Sequence, residues 1–281
     1  MLPWIEVNNV KKEMEGFQLG PISLTVEPGT ITALVGNNGS GKSTLLKLIM
    51  NLANKDEGEI QVFGKPVDGR DESWKRHIAF QPQKPVGWNA YTGKDLKELI
   101  APLYAKWDQN LFERMIELFG VPLDKRFGKL SPGVQQKLSL SLALPRSTDL
   151  LILDEPTASL DIPSKKLVMD LLVEWMEKED RAIILTTHQP DDLRKLADYL
   201  FLMQDGQAVG KYEKDSLITG FRRYWLKDMP AAPIPGELAR SAGELISENP
   251  DVTEDYFTEQ KIEIIDDNAL ELEDIISLLL K

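Results

Sequence analysis

Residues 36–44 bring closely spaced glycines together with a cation and several hydroxyls. The run reads Gly36-Asn37-Asn38-Gly39-Ser40-Gly41-Lys42-Ser43-Thr44. Glycines let backbone N–H groups come close to a phosphate, and the start of a helix adds a favourable dipole. In such a loop Lys42 places a positive charge near the β- and γ-phosphates of a nucleotide, and the Ser43 hydroxyl can ligate Mg²⁺. The run therefore predicts binding of nucleotide phosphates. The alternative is an accidental glycine turn that opens a helix.

The segments on either side of this run favour the phosphate-binding interpretation. Residues 30–35 are apolar and rich in β-formers, whereas residues 45–50 are apolar at helical spacing. A strand, a glycine loop and a helix in that order form the context that the motif requires. The elements that must hold Lys42 and Ser43 are thus predicted directly beside them.

A second group of chemically capable side chains follows two apolar runs. Asp154 and Glu155 come directly after Leu150–Leu153, and His188 ends the run that begins at Ala182. Continuous apolar runs of this length indicate buried parallel strands, and ligands gather beyond the carboxyl ends of such strands. The bland alternatives are a carboxylate pair that caps a helix and a histidine with a structural role. His77 receives only the bland interpretation, as a surface or strand-edge residue.

Three further sites stand near predicted element ends. Gln83 follows a short strand at His77–Phe80 and enters a loop. Ser131 is placed to cap a helix whose first residue would be Pro132. Asp161 lies on a loop that precedes a helix over about 164–176.

Composition limits the class of protein. There are no cysteines, so disulfides and thiolate metal sites are excluded. We expect no transmembrane helix, because no apolar run reaches 18 residues. The net charge of −12 argues against broad nucleic-acid binding. Residues 226–281 hold 14 acidic and 4 basic side chains, a net of −10, so the tail is a separate compositional unit.

Taken together, these motifs resemble an ABC-type ATPase subunit over about residues 3–215. The phosphate loop, Gln83, the Leu130–Gln136 stretch, Asp154-Glu155, Asp161 and His188 occur in the order of that family. The resemblance implies an α/β fold, a P-loop ATPase with a mixed sheet core. It further implies an ATP-binding core at 1–91 and 146–220, a helical subdomain with the signature motif at 92–145, and a small acidic α/β appendage at 221–281. Within the appendage we expect strands at 221–226 and 260–265 and helices at 238–246 and 270–280.

The resemblance also implies a role for each matching position, with ATP and Mg²⁺ as cofactors. Residues 36–44 would hold the phosphates, and Ser43, Gln83 and Asp154 would serve the metal. Glu155 resembles the general base that orients water, His188 the switch histidine at the γ-phosphate, and Gln83 a sensor of the membrane partner. Ser131 and Gly133 match the signature that completes the site of the opposite subunit, and Asp161 matches the loop that couples the two sites.

Two departures from the family pattern affect the expected contacts with ATP. Pro132 and Val134 stand where the family usually has glycine and glutamine, and proline has no N–H to offer a phosphate. The signature contact is therefore expected to be weaker. Met14 occupies the position at which the family often stacks an aromatic ring on adenine, and Phe17 is nearby. The residue that contacts adenine is left open.

The function that the resemblance implies is ATP hydrolysis that drives a separate membrane subunit, in the direction of export. The tail is similar to those of bacterial exporters of drugs, lipids or peptides, among them peptide-toxin exporters of the phenol-soluble-modulin type. The implied partners are a transmembrane permease subunit and a second ATPase subunit, identical or different, with no nucleic acid. The implied location is cytoplasmic, peripheral on the inner face of the cell membrane. The alternatives are a soluble ABC-type ATPase that acts on ribosomes or DNA, and a regulatory nucleotide-binding module without turnover.

Overall fold

The computed structural model describes residues 2–178 and 180–281. Contacts divide the chain into two compact units, one that ends at Lys211 and one that spans Tyr212–Lys281. The second unit thus begins before residue 221, where the sequence placed its boundary. Within the described residues, no helix has the length and apolar character to cross a membrane.

The chain up to Glu213 contains strands that form two sheets. In chain order they are β1 (Ile5–Met14), β2 (Phe17–Val26), β3 (Ile31–Val35), β4 (Glu57–Val62), β5 (Lys65–Pro66), β6 (Ile78–Gln81), β7 (Leu150–Asp154), β8 (Ala182–Thr186), β9 (Tyr199–Gln204) and β10 (Gln207–Glu213). One sheet has the order β2-β1-β4-β5, and the other has the order β10-β9-β3-β8-β7-β6. The first two strands are longer than the sequence predicted, because a turn at Glu15-Gly16 joins them into one antiparallel hairpin.

The six-stranded sheet sets the position of the chemistry. Strand β3 pairs in parallel with β8 and β9, and β7 pairs in parallel with β6 and β8. Every residue of β3, β7 and β8 is buried, which explains why these strands read as continuous apolar runs. Because parallel strands end at the same edge, the segments after Val35, Gln81, Asp154 and Thr186 leave the sheet side by side.

Helices cover this sheet and form the inserted segment. They are α1 (Lys42–Ile49), α2 (Gly93–Ile100), α3 (Gln109–Phe119), α4 (Pro132–Ala143), α5 (Ile162–Met176) and α6 (Pro190–Leu196). Helix α1 packs Leu45, Leu46 and Ile49 into a cluster that also holds Leu34 and Ile152. Full burial of such side chains contributes about 1.5–3 kcal/mol each, so the helix that follows the glycine loop is firmly held.

The second unit is a small α/β structure in which part of the sequence prediction was wrong. It contains α7 (Lys214–Thr219), β11 (Arg222–Leu226), β12 (Glu237–Ser241), β13 (Glu244–Ser247), α8 (Pro250–Gln260), β14 (Ile264–Ala269) and α9 (Leu272–Leu279). Its sheet has the order β12-β13-β11-β14. The core includes Tyr224, Leu245 and Phe257.

Residues 238–246 form a hairpin and not the predicted helix. Gly243 lies at the turn with φ 81°, a left-handed conformation that interrupts a helix and suits a tight turn. The helix lies later, at α8, where the Asn249 side chain accepts from the backbone N–H of Val252 and Pro250 is the first helical residue. The predicted strand at 260–265 is consequently displaced to β14.

Candidate functional site

The glycine loop spans the gap between β3 and α1, as its sequence context predicted. A Cβ atom at Gly36 would clash with the carbonyl oxygen of Met203. Gly41 has φ 101°, and a Cβ atom there would lie 2.6 Å from Leu19 Cδ1. Both positions therefore require glycine for a close backbone approach. Asn37, Asn38 and Gly39 are exposed at the tip of the loop, whereas Ser40 is buried.

The Lys42 side chain folds back into this loop. Its Nζ donates to the carbonyl oxygens of Gly36 at 2.7 Å and Asn37 at 3.0 Å. Burial lowers the pKa of Lys42, while the nearby charges of Glu155 and Asp154 act in the opposite direction. The loop thus holds a desolvated cation among carbonyl groups, at the start of a helix.

Ser43 and Asp154 meet across the sheet edge. Ser43 Oγ donates to Asp154 Oδ1 at 3.0 Å, and Thr186 Oγ1 donates to the same oxygen at 2.7 Å. A serine hydroxyl beside a carboxylate fits Mg²⁺, which prefers oxygen ligands and takes only one or two carboxylates together with phosphate oxygens. Among the described residues there is no cluster of three or more His, Cys, Asp or Glu that could hold a metal ion. A metal at Ser43 and Asp154 would therefore need phosphate oxygens as further ligands.

Glu155 and His188 form a second contact at this edge. His188 Nδ1 lies 3.0 Å from both carboxylate oxygens of Glu155, aligned as a hydrogen bond only with Oε1. Oε2 is buried and has no hydrogen-bond donor among residues 2–178 and 180–281. The Glu155 side chain is 8% exposed and that of His188 is 56% exposed. A buried acceptor beside a partly exposed imidazole can receive a hydrogen bond from a water molecule.

Backbone geometry fixes the direction of the Glu155 side chain. The residue has φ 53°, in the left-handed region that side chains rarely adopt. Its N–H donates to Thr186 Oγ1 at 2.9 Å. Thr186 therefore holds both Asp154, through its carboxylate, and Glu155, through its backbone.

A cavity of about 390 Å³ lies over the glycine loop. Its wall includes Asn38, Gly39, Gly41, Lys42, Ser43, Thr44, Gln83 and Glu155, together with Met14, Glu15 and Phe17 from the turn between β1 and β2. Gln83 is exposed in the loop after β6. The structure therefore brings Gln83 and Glu155 to the same cavity as the glycine loop.

Ser131, Gly133 and Asp161 do not line this cavity. Ser131 occupies the N-cap position of α4, but its side chain makes no capping hydrogen bond. A Cβ atom at Gly133 would lie 2.8 Å from the carbonyl oxygen of Ser159, so helix α4 runs close to the segment after Glu155. Asp161 caps α5 by accepting from Ser164 N at 2.8 Å. Hydrogen bonds from the side chain of Ser164, then from its backbone and from Lys137, lower the pKa of the Asp161 carboxyl to about 2.

Gln136 links the start of α4 to the strand that carries the carboxylates. Its Nε2 donates to the carbonyl oxygen of Pro156 at 2.8 Å. Sequence reasoning gave no role to this side chain or to Thr186. Gln136 contacts the backbone of Pro156, and Thr186 contacts the Asp154 carboxylate and the Glu155 backbone. These partners are distant in sequence, so no local pattern indicates either contact.

Comparison with known proteins identifies the arrangement. Residues 19–158 match the ABC transporter family model. The chain is 30% identical over 214 residues to the ABC transporter ATP-binding protein YtrB of Bacillus subtilis, covering 76% of this chain and 73% of YtrB. The chain belongs to the ABC transporter ATP-binding family.

Other members of the ABC transporter ATP-binding family agree with this assignment. The zinc uptake system ATP-binding protein ZurA of Listeria innocua is 36% identical over 200 residues, covering 66% of this chain and 76% of ZurA. A solved ATP-binding subunit of an ABC transporter superposes with a TM-score of 0.69 at 25% identity, over 77% of this chain and 92% of that one. The cbiO1 structure from Clostridium perfringens, part of the cbiONQ transporter complex, superposes with a TM-score of 0.60 at 26% identity, over 75% of this chain and 88% of that one.

Membership of the ABC transporter ATP-binding family determines the class of activity. The domain binds ATP and is an ATPase, and the chain is the ATP-binding subunit of a transporter complex. The fold is the α/β fold of P-loop ATPases, as the sequence predicted. Subunits of this kind work with transmembrane permease components.

Proposed function

We propose that this subunit dimerises around ATP and drives export through a separate transmembrane permease. The observation that carries the proposal is the convergence of Lys42, the Ser43–Asp154 contact and the Glu155–His188 contact at one edge of the sheet. Phosphoryl transfer depends mainly on positioning and on charge stabilisation, and these groups supply both.

In this proposal each side chain acts on one part of the nucleotide. Residues 36–44 cradle the phosphates, and Lys42 exchanges its carbonyl contacts for the β- and γ-phosphates. Ser43 and Asp154 hold Mg²⁺, with Gln83 at the same site. Glu155 orients the attacking water, which is supported by the lone acceptor Oε2. His188 contacts the γ-phosphate from the exposed side.

The second half of the site would come from another subunit, identical to this one or different. Ser131 is exposed at the start of α4, and Asp161 is exposed at the start of α5. We assign Ser131 and Gly133 to the ATP of the opposite subunit and Asp161 to the coupling between the two sites. The missing N–H of Pro132 makes this contact weaker than a glycine would.

Export and location are the finer parts of the proposal. Export is supported by the acidity of residues 226–281, whose net charge of −10 resembles the tails of bacterial exporter ATPases. It is not supported by ZurA, whose name describes uptake. The subunit would lie at the cytoplasmic face of the membrane, bound to its permease, with the tail in a regulatory or dimerising role.

Purification from native membranes tests the proposal. The tagged chain and its Glu155→Gln variant should both retain an integral membrane protein, identified by mass spectrometry. In inside-out vesicles, ATP added outside should drive a peptide or lipid into the lumen with the wild type and not with the variant. Absence of any membrane partner would reject the transport role and favour a soluble ATPase, and movement out of the lumen would reject export.

A further inference from the structure

A buried carboxylate stands behind the candidate site without belonging to it. Asp192, on helix α6, is 1% exposed. Its Oδ2 accepts hydrogen bonds from Thr157 Oγ1 at 2.5 Å and from Thr187 Oγ1 at 2.9 Å. Lys165 Nζ lies 3.1 Å from Oδ1, close enough for an ion pair but not aligned as a hydrogen bond.

The partners of Asp192 come from separate segments that all border the site. Thr157 lies two residues after Glu155, and Thr187 directly precedes His188. Lys165 lies one turn into α5 and also donates to Gln189 Oε1 at 2.5 Å, next to His188. One carboxylate therefore ties the loop after β7 and the loop after β8 to the start of α5.

Such a network restrains its members because it holds a charge in a low-dielectric interior. A buried carboxylate is costly unless it is paired and hydrogen-bonded. Inside a protein these bonds are strengthened, and loss of one partner leaves the charge poorly compensated. The two threonine hydroxyls that satisfy Asp192 are thus held in fixed places, and so are the backbone segments that carry them.

We propose that Asp192 is a positioning residue that holds Glu155 and His188 in register with each other. It does not line the cavity over the glycine loop, and it acts by locking the two loops that keep His188 Nδ1 and Glu155 Oε1 3.0 Å apart. The inference rests on the roles proposed above for Glu155 and His188.

Two substitutions test it, each in the full chain. Thr157→Val removes one hydroxyl at nearly constant shape, and Asp192→Asn removes the charge. Because a misplacement on the order of 1 Å can cost about 10²-fold, we expect kcat to fall about 10- to 100-fold with ATP affinity within about twofold. Thr148→Val is the matched control. That threonine is also buried and donates to Leu150 O at 3.2 Å, at the opposite end of β7.

A double-mutant comparison separates positioning from general loss of structure. In the Glu155→Gln background, adding Thr157→Val should lower the rate of single-turnover hydrolysis by less than about twofold. The reason is that the effects of substituting residues that act as a unit are not additive. Loss by the same factor in both backgrounds would overturn the proposal, as would an unchanged kcat in Thr157→Val. If Asp192→Asn does not fold, Thr157→Val alone decides between these outcomes.

The same experiment distinguishes this inference from the proposed function. Normal hydrolysis by Glu155→Gln would reject the assignment of Glu155 as the general base. A strong defect in Glu155→Gln combined with unchanged turnover in Thr157→Val and Asp192→Asn would reject only the positioning role.

Discussion

His188 Nδ1 lies 3.0 Å from Glu155 Oε1, although 33 positions separate the two residues in sequence. The register of the parallel strands explains the contact. Asp154 pairs with Thr186 across β7 and β8, so the residues that follow each of them leave the sheet together. The contact between the two side chains therefore follows from the sheet topology. It leads first to two predictions about Glu155.

Glu155→Gln should reduce ATP turnover while leaving ATP binding intact. A positioned general base contributes about 10²–10⁴-fold, and the substitution keeps the shape while removing the charge. Binding should survive because Lys42, Ser43 and Asp154 are unchanged. Steady-state hydrolysis and equilibrium ATP titration measure the two effects.

The same variant should reveal the ATP-bound dimer. Loss of the negative charge near the γ-phosphate favours the closed state, so size-exclusion chromatography with ATP and Mg²⁺ should show a dimer that the wild type forms only transiently. A variant that binds ATP but stays monomeric would reject the homodimer and point to a different partner subunit.

Lys42→Ala should abolish ATP capture with the fold intact. The alanine side chain cannot replace the cation that faces the phosphates. Lys47→Ala is the control, because Lys47 is exposed on the same helix. Fluorescent-nucleotide binding and circular dichroism should separate the two variants. Unchanged affinity in Lys42→Ala would contradict the phosphate-loop assignment.

Pro132→Gly should raise ATPase activity or ATP-driven dimerisation. The substitution restores an N–H at the start of α4, where the signature would face the phosphates of the opposite subunit. Pro250→Gly makes the same change at the first residue of α8, in the second unit, and should leave hydrolysis unaltered. An equal or lower rate in Pro132→Gly, at unchanged thermal stability, would count against the idea.

The second unit should lose stability at high pH through Tyr224. Burial, and then the hydrogen bond to Glu254, raise the pKa of this tyrosine above its ordinary value of 10.0. The stabilisation that comes from keeping the Tyr224 phenol neutral is therefore fully present below pH 10, where the unfolded tyrosine is still neutral. It is lost as pH rises further. Tyr224→Phe should be about 1–2 kcal/mol less stable near pH 7 because the bond to Glu254 is lost.

The alkaline decline should also be shallower in Tyr224→Phe, because the variant has no phenol to ionise at this position. Urea unfolding between pH 8 and 11, followed through tryptophan fluorescence, measures both effects. An identical decline in the wild type and the variant would show that other groups cause the alkaline loss.

The elements around the glycine loop could be predicted because their signals are local. A strand, a loop that only glycine permits at Gly36 and Gly41, and an apolar helix are adjacent in sequence. The hairpin at 237–247 could not, because Leu238, Leu245 and Ile246 also match helical spacing and the decisive feature is the backbone of Gly243. Likewise, Thr186 and Asp192 are positioned only by strand register and tertiary burial.

The left-handed backbone of Glu155 places stability and activity in opposition at one position. A side chain in that region costs about 1–2 kcal/mol, and glycine avoids the cost. Selection for thermal robustness alone would therefore favour Glu155→Gly, a subunit that folds better but has no carboxylate to orient water. Engineering of heat-resistant forms should accordingly leave this position fixed and seek its gains elsewhere in the chain.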